Sequence, residues 1–298
     1  MTEDSAAALA GPTSLARSQH RLGHQRRSVT NAIMTGLCGC AVLVAIVPLC
    51  SVLWLVVSRG LRSMSLAFFT TLPLPVGEVG GGIGNAIVGT LYMVGLACVI
   101  GLPLGVGAGV YLAERGDGRL GQLVRFTAEV LAGVPSIVIG VVAYGLIVMR
   151  MHHFSAIAGA AALSILMIPT LARTTEEMVR LVPATLREAS LALGVPAWKT
   201  SVRIVLRTAL GGLLTAVLLA IARAAGETAP LLFTALNNQY WSLRPDQPMA
   251  SLTVQIFNYA ISPYEDWHDK AWGAALCLLM LIGLLSVSAR LFQRRRAT

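Results

Sequence analysis

Charge is scarce in this sequence. Only 12% of its 298 residues are Asp, Glu, Lys or Arg, against roughly 25% in an ordinary soluble domain. With 55% hydrophobic residues and a mean hydropathy of +0.71, that excludes a water-soluble globule and places the chain in a bilayer. Lysine is scarcer still, present only as Lys199 and Lys270, so arginine carries most of the net charge of +9. A basic surplus of this kind can also mark a nucleic-acid binder. Here it sits between and beside apolar runs, as in loops facing the cytoplasm, and no nucleic-acid partner is expected. The five cysteines, Cys38, Cys40, Cys50, Cys98 and Cys277, all fall inside apolar runs. Cys38-Gly-Cys40 lacks the two-residue spacer and the second ligand pair of a zinc site, so neither metal nor disulfide is expected. The run Gly80-Gly81-Gly82 is followed by no Gly-Lys-Ser/Thr, and none occurs elsewhere, which excludes a nucleotide-cradling P-loop. Ser, His and Asp meet in no hydrolytic order, and His152-His153 fall on a short turn without a carboxylate partner. The expected protein is a conduit: no enzyme, no catalytic residue and no cofactor of its own.

What the chain has in abundance is long uncharged runs. Residues 1–28 are polar and end in a basic cluster, Arg17, Arg21, Arg26 and Arg27, which reads as a disordered cytoplasmic tail. From Val29 to Ser58 no residue is charged, more than the roughly 20 residues that a spanning helix needs, with Pro48 expected to kink it. Further spans are expected at about 84–113, 123–149, 155–172, 208–236 and 271–290. The connector at 59–83 and the polar loop at 237–270 are expected outside. The expected fold is an all-α integral membrane protein of six transmembrane helices. By domain, 1–28 is the tail, 29–83 the first span and its connector, 84–293 a five-helix unit, and 294–298 a basic C-terminus. Six spans put both termini on one side. Of the 23 Lys and Arg residues, only Arg59, Arg62, Arg150, Arg244 and Lys270 fall on the other side, and Arg223 lies within the fifth span. Both termini and segment 173–207 are therefore expected in the cytoplasm, and lipid is the expected surrounding.

Two constellations interrupt the apolar pattern. The first is Arg187-Glu188-Ala189-Ser190-Leu191-Ala192-Leu193-Gly194, continuing through Trp198, Lys199 and Arg203. It is a polar, helix-forming stretch between spans four and five that ends at a glycine followed by Pro196. A short cytoplasmic helix there suits contact with a soluble partner. The second is Ala222-Arg223-Ala224-Ala225-Gly226-Glu227-Thr228-Ala229-Pro230. An Arg and a Glu deep in a span are costly and mark function by default, and their i,i+4 spacing puts both on one helical face. Two roles fit them: an ion pair locking this helix to a neighbour, or a pore-lining Arg223 that attracts an oxyanion while Glu227 keeps affinity low enough for release.

Glu188-Ala189-Ser190 followed by Gly194 resembles the cytoplasmic Glu-Ala-Ala motif of the inner-membrane permease subunits of binding-protein-dependent ABC importers. Ser190 stands where that motif has its second Ala, and Leu206-Arg207 where a Leu-Pro often follows. Arg223-Ala-Ala-Gly-Glu227-Thr-Ala-Pro-Leu-Leu-Phe-Thr is similar to the fifth span of the PstA-type phosphate permeases. Gly81-Gly-Ile-Gly-Asn-Ala-Ile-Val-Gly-Thr-Leu91, Ala132-Gly-Val-Pro-Ser-Ile137 and Arg173-Thr-Thr-Glu-Glu177 agree, and the resemblance covers about 80–290. It implies a type I ABC importer permease in the bacterial cytoplasmic membrane that imports inorganic phosphate. Glu188, Ala189, Ser190 and Gly194 would form the ATPase-coupling helix, and Arg223, Glu227, Thr228 and Arg173 the substrate path. For Arg173, a membrane-edge anchor paired with Glu176 or Glu177 is the other reading. The implied partners are a second permease subunit (PstC-type), a dimer of ATPase subunits (PstB-type) that bind ATP and Mg2+, and an extracytoplasmic phosphate-binding protein (PstS-type). Rival readings are an ABC permease for sulfate or molybdate, and an ATPase-independent secondary anion transporter.

Overall fold

The computed structural model describes residues 14–75, 77–78 and 80–297, and among them every regular element is helical. Residues 1–13, the first part of the expected tail, lie outside the described residues, as does Thr298. Helix α1, Ser14–Ser63, begins inside the segment expected to be a tail and is unbroken through Pro48. The chain divides into two units, Met1–Leu55 and Val56–Thr298. In the first, apolar side chains such as Leu37, Val44 and Trp54 are exposed around α1.

The second unit begins with the last turns of α1. Here Arg59 lies over the Trp272 ring, 5.7 Å from its centroid, and the Ser63 hydroxyl donates to the Asp269 carbonyl. A short helix follows, α2, Leu66–Thr70, capped by the Ser65 hydroxyl. Then come α3, Gly84–Arg115, and α4, Arg119–Gly133. Helix α5, Ser136–Met151, relaxes into a π-helical turn at Tyr144–Val148. Helix α6 is Ala156–Arg180 and α7 is Ala184–Ala192. Helix α8, Ala197–Ala225, contains a second π-helical turn at Ser201–Val205. The chain ends with α9, Ala229–Thr234, α10, Leu252–Ala260, and α11, Glu265–Ala297.

The spacing of apolar residues located the spans, but three of its expectations need correction. The third span is not one helix: α4 and α5 meet at 104°. Pro135 offers no N–H and disfavours helical geometry in the residue before it, and Val134 adopts an extended ψ of 130°. Among the described residues five helices are long and apolar enough to cross a membrane, or six if the bent α4–α5 pair counts as one span. The fifth span stops at Ala225, not near 236. Gly226 caps it, and Pro230 sits in the first turn of the separate helix α9. The loop at 237–270 holds the buried helix α10, capped by Ser251, and the last helix already begins at Glu265.

Helices α3 and α6 form the most extensive packing in the unit. Buried Gly101, Gly105 and Gly109 line one face of α3 at intervals of four. A Cβ on Gly105 would meet the Leu171 Cβ at 2.6 Å, and one on Gly109 would collide with Thr175 and the Ala172 carbonyl. Small residues let membrane helices approach until dispersion forces act along their whole length, where the hydrophobic effect gives no preference. The core around this seam includes Met93, Ala97, Leu163, Met167 and Leu171.

Candidate functional site

Arg223 and Glu227 pair at i,i+4 spacing at the end of α8, as expected, although the helix itself stops before Glu227. Glu227 lies past the last helical residue, in the Gly226–Thr228 break, with its carbonyl accepting a hydrogen bond from the Thr253 hydroxyl of α10 at 2.9 Å. The pair is long, 3.8 Å from Arg223 Nε to Glu227 Oε1, with the arginine side chain 57% exposed and the glutamate 18%. Thr228 caps α9 through its carbonyl, which accepts from the Leu231 and Leu232 amides. Arg223 and Glu227 line a narrow crevice with Met167 and Thr170 of α6, and the crevice holds no space as large as a water molecule. What the arrangement offers is a guanidinium bound by a single loose ion pair, with most of its donors free to take an anion.

Thr170 also lines a second, larger cavity of about 420 Å3 between α3, α4 and α6, within the range of small-molecule sites, roughly 300–1,000 Å3. Arg173 faces this cavity and pairs with Glu177 at 3.3 Å, both side chains being more than half exposed. Glu176, the alternative partner, is instead buried between Arg125 and Arg180, each at 2.8 Å. Arg173 and Arg223 thus stand in adjoining spaces that share Thr170, one turn before Arg173 on α6. The sequence pattern did not single out Thr170, since a lone Thr beside Pro169 in an apolar helix carries no signal.

The Glu188–Gly194 segment folds as the expected short helix. Helix α7 closes with the Val195 amide bonded to the Ser190 carbonyl and the Gly194 amide to the Leu191 carbonyl. That ending needs a residue of positive φ, and Gly194 has φ 76°. Glu188 and Ala189 are exposed, beside exposed Leu186, Leu191, Leu193 and Trp198. Ser190 points the other way: it is buried, and its hydroxyl meets that of Thr200 at 2.8 Å, tying α7 to the first turn of α8. The serine that departs from the Glu-Ala-Ala pattern thus has a structural use. Arg187 contacts Glu114 at the end of α3, a partner hidden in the sequence inside what reads as a loop.

Residues 101–297 match the family described as binding-protein-dependent transport system inner membrane component. The chain belongs to this family. It is 47% identical over 240 residues to the phosphate transport system permease protein PstA of Yersinia pestis, covering 80% of this chain and 81% of that protein. It is 43% identical to the PstA of Haemophilus influenzae, covering 89% and 94%, and 40% identical to PstA 1 of Mycobacterium tuberculosis, covering 90% of each. Among solved structures, an inward-facing form of the MetNI methionine ABC transporter superposes with a TM-score of 0.59. The match covers 72% of this chain and 94% of that one at 20% identity, which supports the fold alone. This permease of the family is therefore an all-helical, multi-pass membrane component of a transport system.

Proposed function

We propose that this chain is the permease subunit of an ATP-driven importer of inorganic phosphate and forms half of its translocation path. The observation that carries the reading is the loose Arg223–Glu227 pair, set at a helix break inside a membrane bundle in a chain 47% identical to a phosphate transport permease. Arg223 attracts the oxyanion, and Glu227 competes for the guanidinium and limits affinity so that the ion is released. Thr228 adds a hydroxyl at the break. Arg173, at the wide cavity toward the basic end, receives the ion next. The crevice is closed around Arg223 in this structure while the cavity beside Arg173 is roomy, which fits a path shut in its middle and open toward the basic end.

In this reading both termini and α7 face the cytoplasm, in keeping with the clustering of arginines at that end. The partners are a PstC-type permease, a PstB-type ATPase dimer that holds ATP and Mg2+, and a PstS-type phosphate-binding protein outside. The exposed apolar side chains around Glu188 and Ala189 supply the surface on which the ATPase pulls. Uptake of radiolabelled phosphate into proteoliposomes containing the whole assembly tests the proposal. Wild type takes up phosphate on ATP addition, and sulfate or molybdate in excess does not compete. Competition by either would assign the path to another oxyanion, and uptake by this chain alone would make it a secondary transporter. Glu188→Lys, which reverses the charge on the docking face, is expected to abolish both co-purification with the ATPase and uptake.

A further inference from the structure

Two arginines at the basic end of the bundle are used in the same way, with the roles of α3 and α6 exchanged. Arg125, on α4, donates to the Leu112 and Gly116 carbonyls at the end of α3 at 3.3 and 3.1 Å, and pairs with Glu176 of α6. Arg187, on α7, donates to the Val179 and Val182 carbonyls at the end of α6 at 2.9 and 3.1 Å, and pairs with Glu114 of α3. Each caps one helix of the close-packed pair and bonds a carboxylate on the other. The planar, five-donor guanidinium is suited to joining several acceptors at fixed angles, and carbonyls at a helix C-terminus attract a cation.

Glu114 does more than receive Arg187. Its Oε1 accepts from Arg187 at 3.2 Å, and its Oε2 accepts from the Ser201 hydroxyl at 3.1 Å. Ser201 opens the π-helical turn of α8, a feature that recurs at functional sites in helices. One carboxylate therefore joins α3, α7 and α8, and the side chains of Arg187 and Glu114 are 24% and 22% exposed, more protected than the Arg223–Glu227 arginine. We propose that Glu114, through Arg187 and Ser201, is a positioning residue that transmits displacement of α7 to the α3–α6 pair, so that the coupling helix and the cavity wall bearing Thr170 and Arg173 move as one body. The proposal rests on the ATP-driven reading above. Only three residues, 181–183, separate α6 from α7 along the chain, and the arginine fork closes that gap.

The test uses the full assembly in proteoliposomes and reads two rates, ATP hydrolysis and phosphate uptake. Glu114→Gln keeps the shape of the side chain but removes its charge. It is expected to lower phosphate moved per ATP by about tenfold, within the range of couplings carried by packed networks, while hydrolysis continues. Arg187→Gln should do the same, and the double variant should be no worse than either single one, because contacting residues that act as a unit are not additive. Glu114→Asp, which restores the charge, should recover part of the ratio. Uptake and hydrolysis falling in parallel, or additive losses in the double variant, would overturn the proposal. If Glu114→Gln fails to assemble, Ser201→Ala, which removes one donor alone, is expected to lower the ratio measurably, and an unchanged ratio overturns the idea. Failure of the transport reading itself is seen separately, as wild type that takes up no phosphate.

Discussion

Arg187–Glu114 and Arg223–Glu227 are the same two side chains in opposite circumstances. The first is 3.1 Å long, three-quarters shielded, and its arginine also caps two carbonyls. The second is 3.8 Å long, with its arginine mostly exposed and Glu227 displaced from the helix by a Gly-Pro break. The Arg187 guanidinium is fastened at several acceptors, whereas that of Arg223 is held at one. A guanidinium held by one loose pair keeps N–H groups that can donate to a further partner, the property on which the proposed role of Arg223 rests.

Removing each charge in turn separates the two pairs. Arg223→Gln should reduce phosphate uptake by about 100-fold, the scale of deleting one donor from a site that stabilises an anion. The complex should still assemble, with its unfolding midpoint in detergent unchanged. Normal uptake would make this pair a fastening as well. Arg187→Gln should differ in also destabilising the isolated subunit, with a loss of about 2 kcal/mol in denaturant unfolding, because two carbonyls and the Glu114 carboxylate lose a partner. Stability equal to wild type would erase the contrast. Gly194→Ala forces a side chain into positive φ at the end of α7 and should cost about 1 kcal/mol, read by the same unfolding curve. The smallest effect belongs to Arg173 and Glu177, whose exposed pair is worth under about 0.5 kcal/mol. Glu177→Gln should leave the curve where it is, and a larger shift would place Arg173 among the fastenings.

Much of this was legible along the chain. The uncharged runs locate the spans, because a bilayer leaves no other place for 20 or more apolar residues in a row. The Glu-Ala-Ser segment with its terminal glycine predicts α7 and its ending, since both are local chemistry. Arg223 and Glu227 announce themselves by their cost in an apolar setting. The i,i+4 spacing of that pair does bring the two charges within 3.8 Å, although Gly226 ends the helix before Glu227, and the bend at Val134-Pro135 leaves no trace in hydropathy, which does not register a backbone break. The packing face formed by Gly101, Gly105 and Gly109 emerged only in the structure, where α6 closes on it. Thr170 and Glu114 gave no signal, their neighbours being 53 and 73 positions away in the chain, at Arg223 and Arg187.

Composition and local pattern are enough to make the chain a bundle of membrane helices with a basic end, a short polar helix between spans four and five, and one arginine within the apolar region. Those follow from composition and from the period of a single helix. The three-dimensional packing settles which arginines are held by several acceptors, as Arg125 and Arg187 are, and which by a single pair, as Arg173 and Arg223 are. Saturation depends on carbonyls and carboxylates brought in from other helices, and no local pattern encodes which helix will supply them.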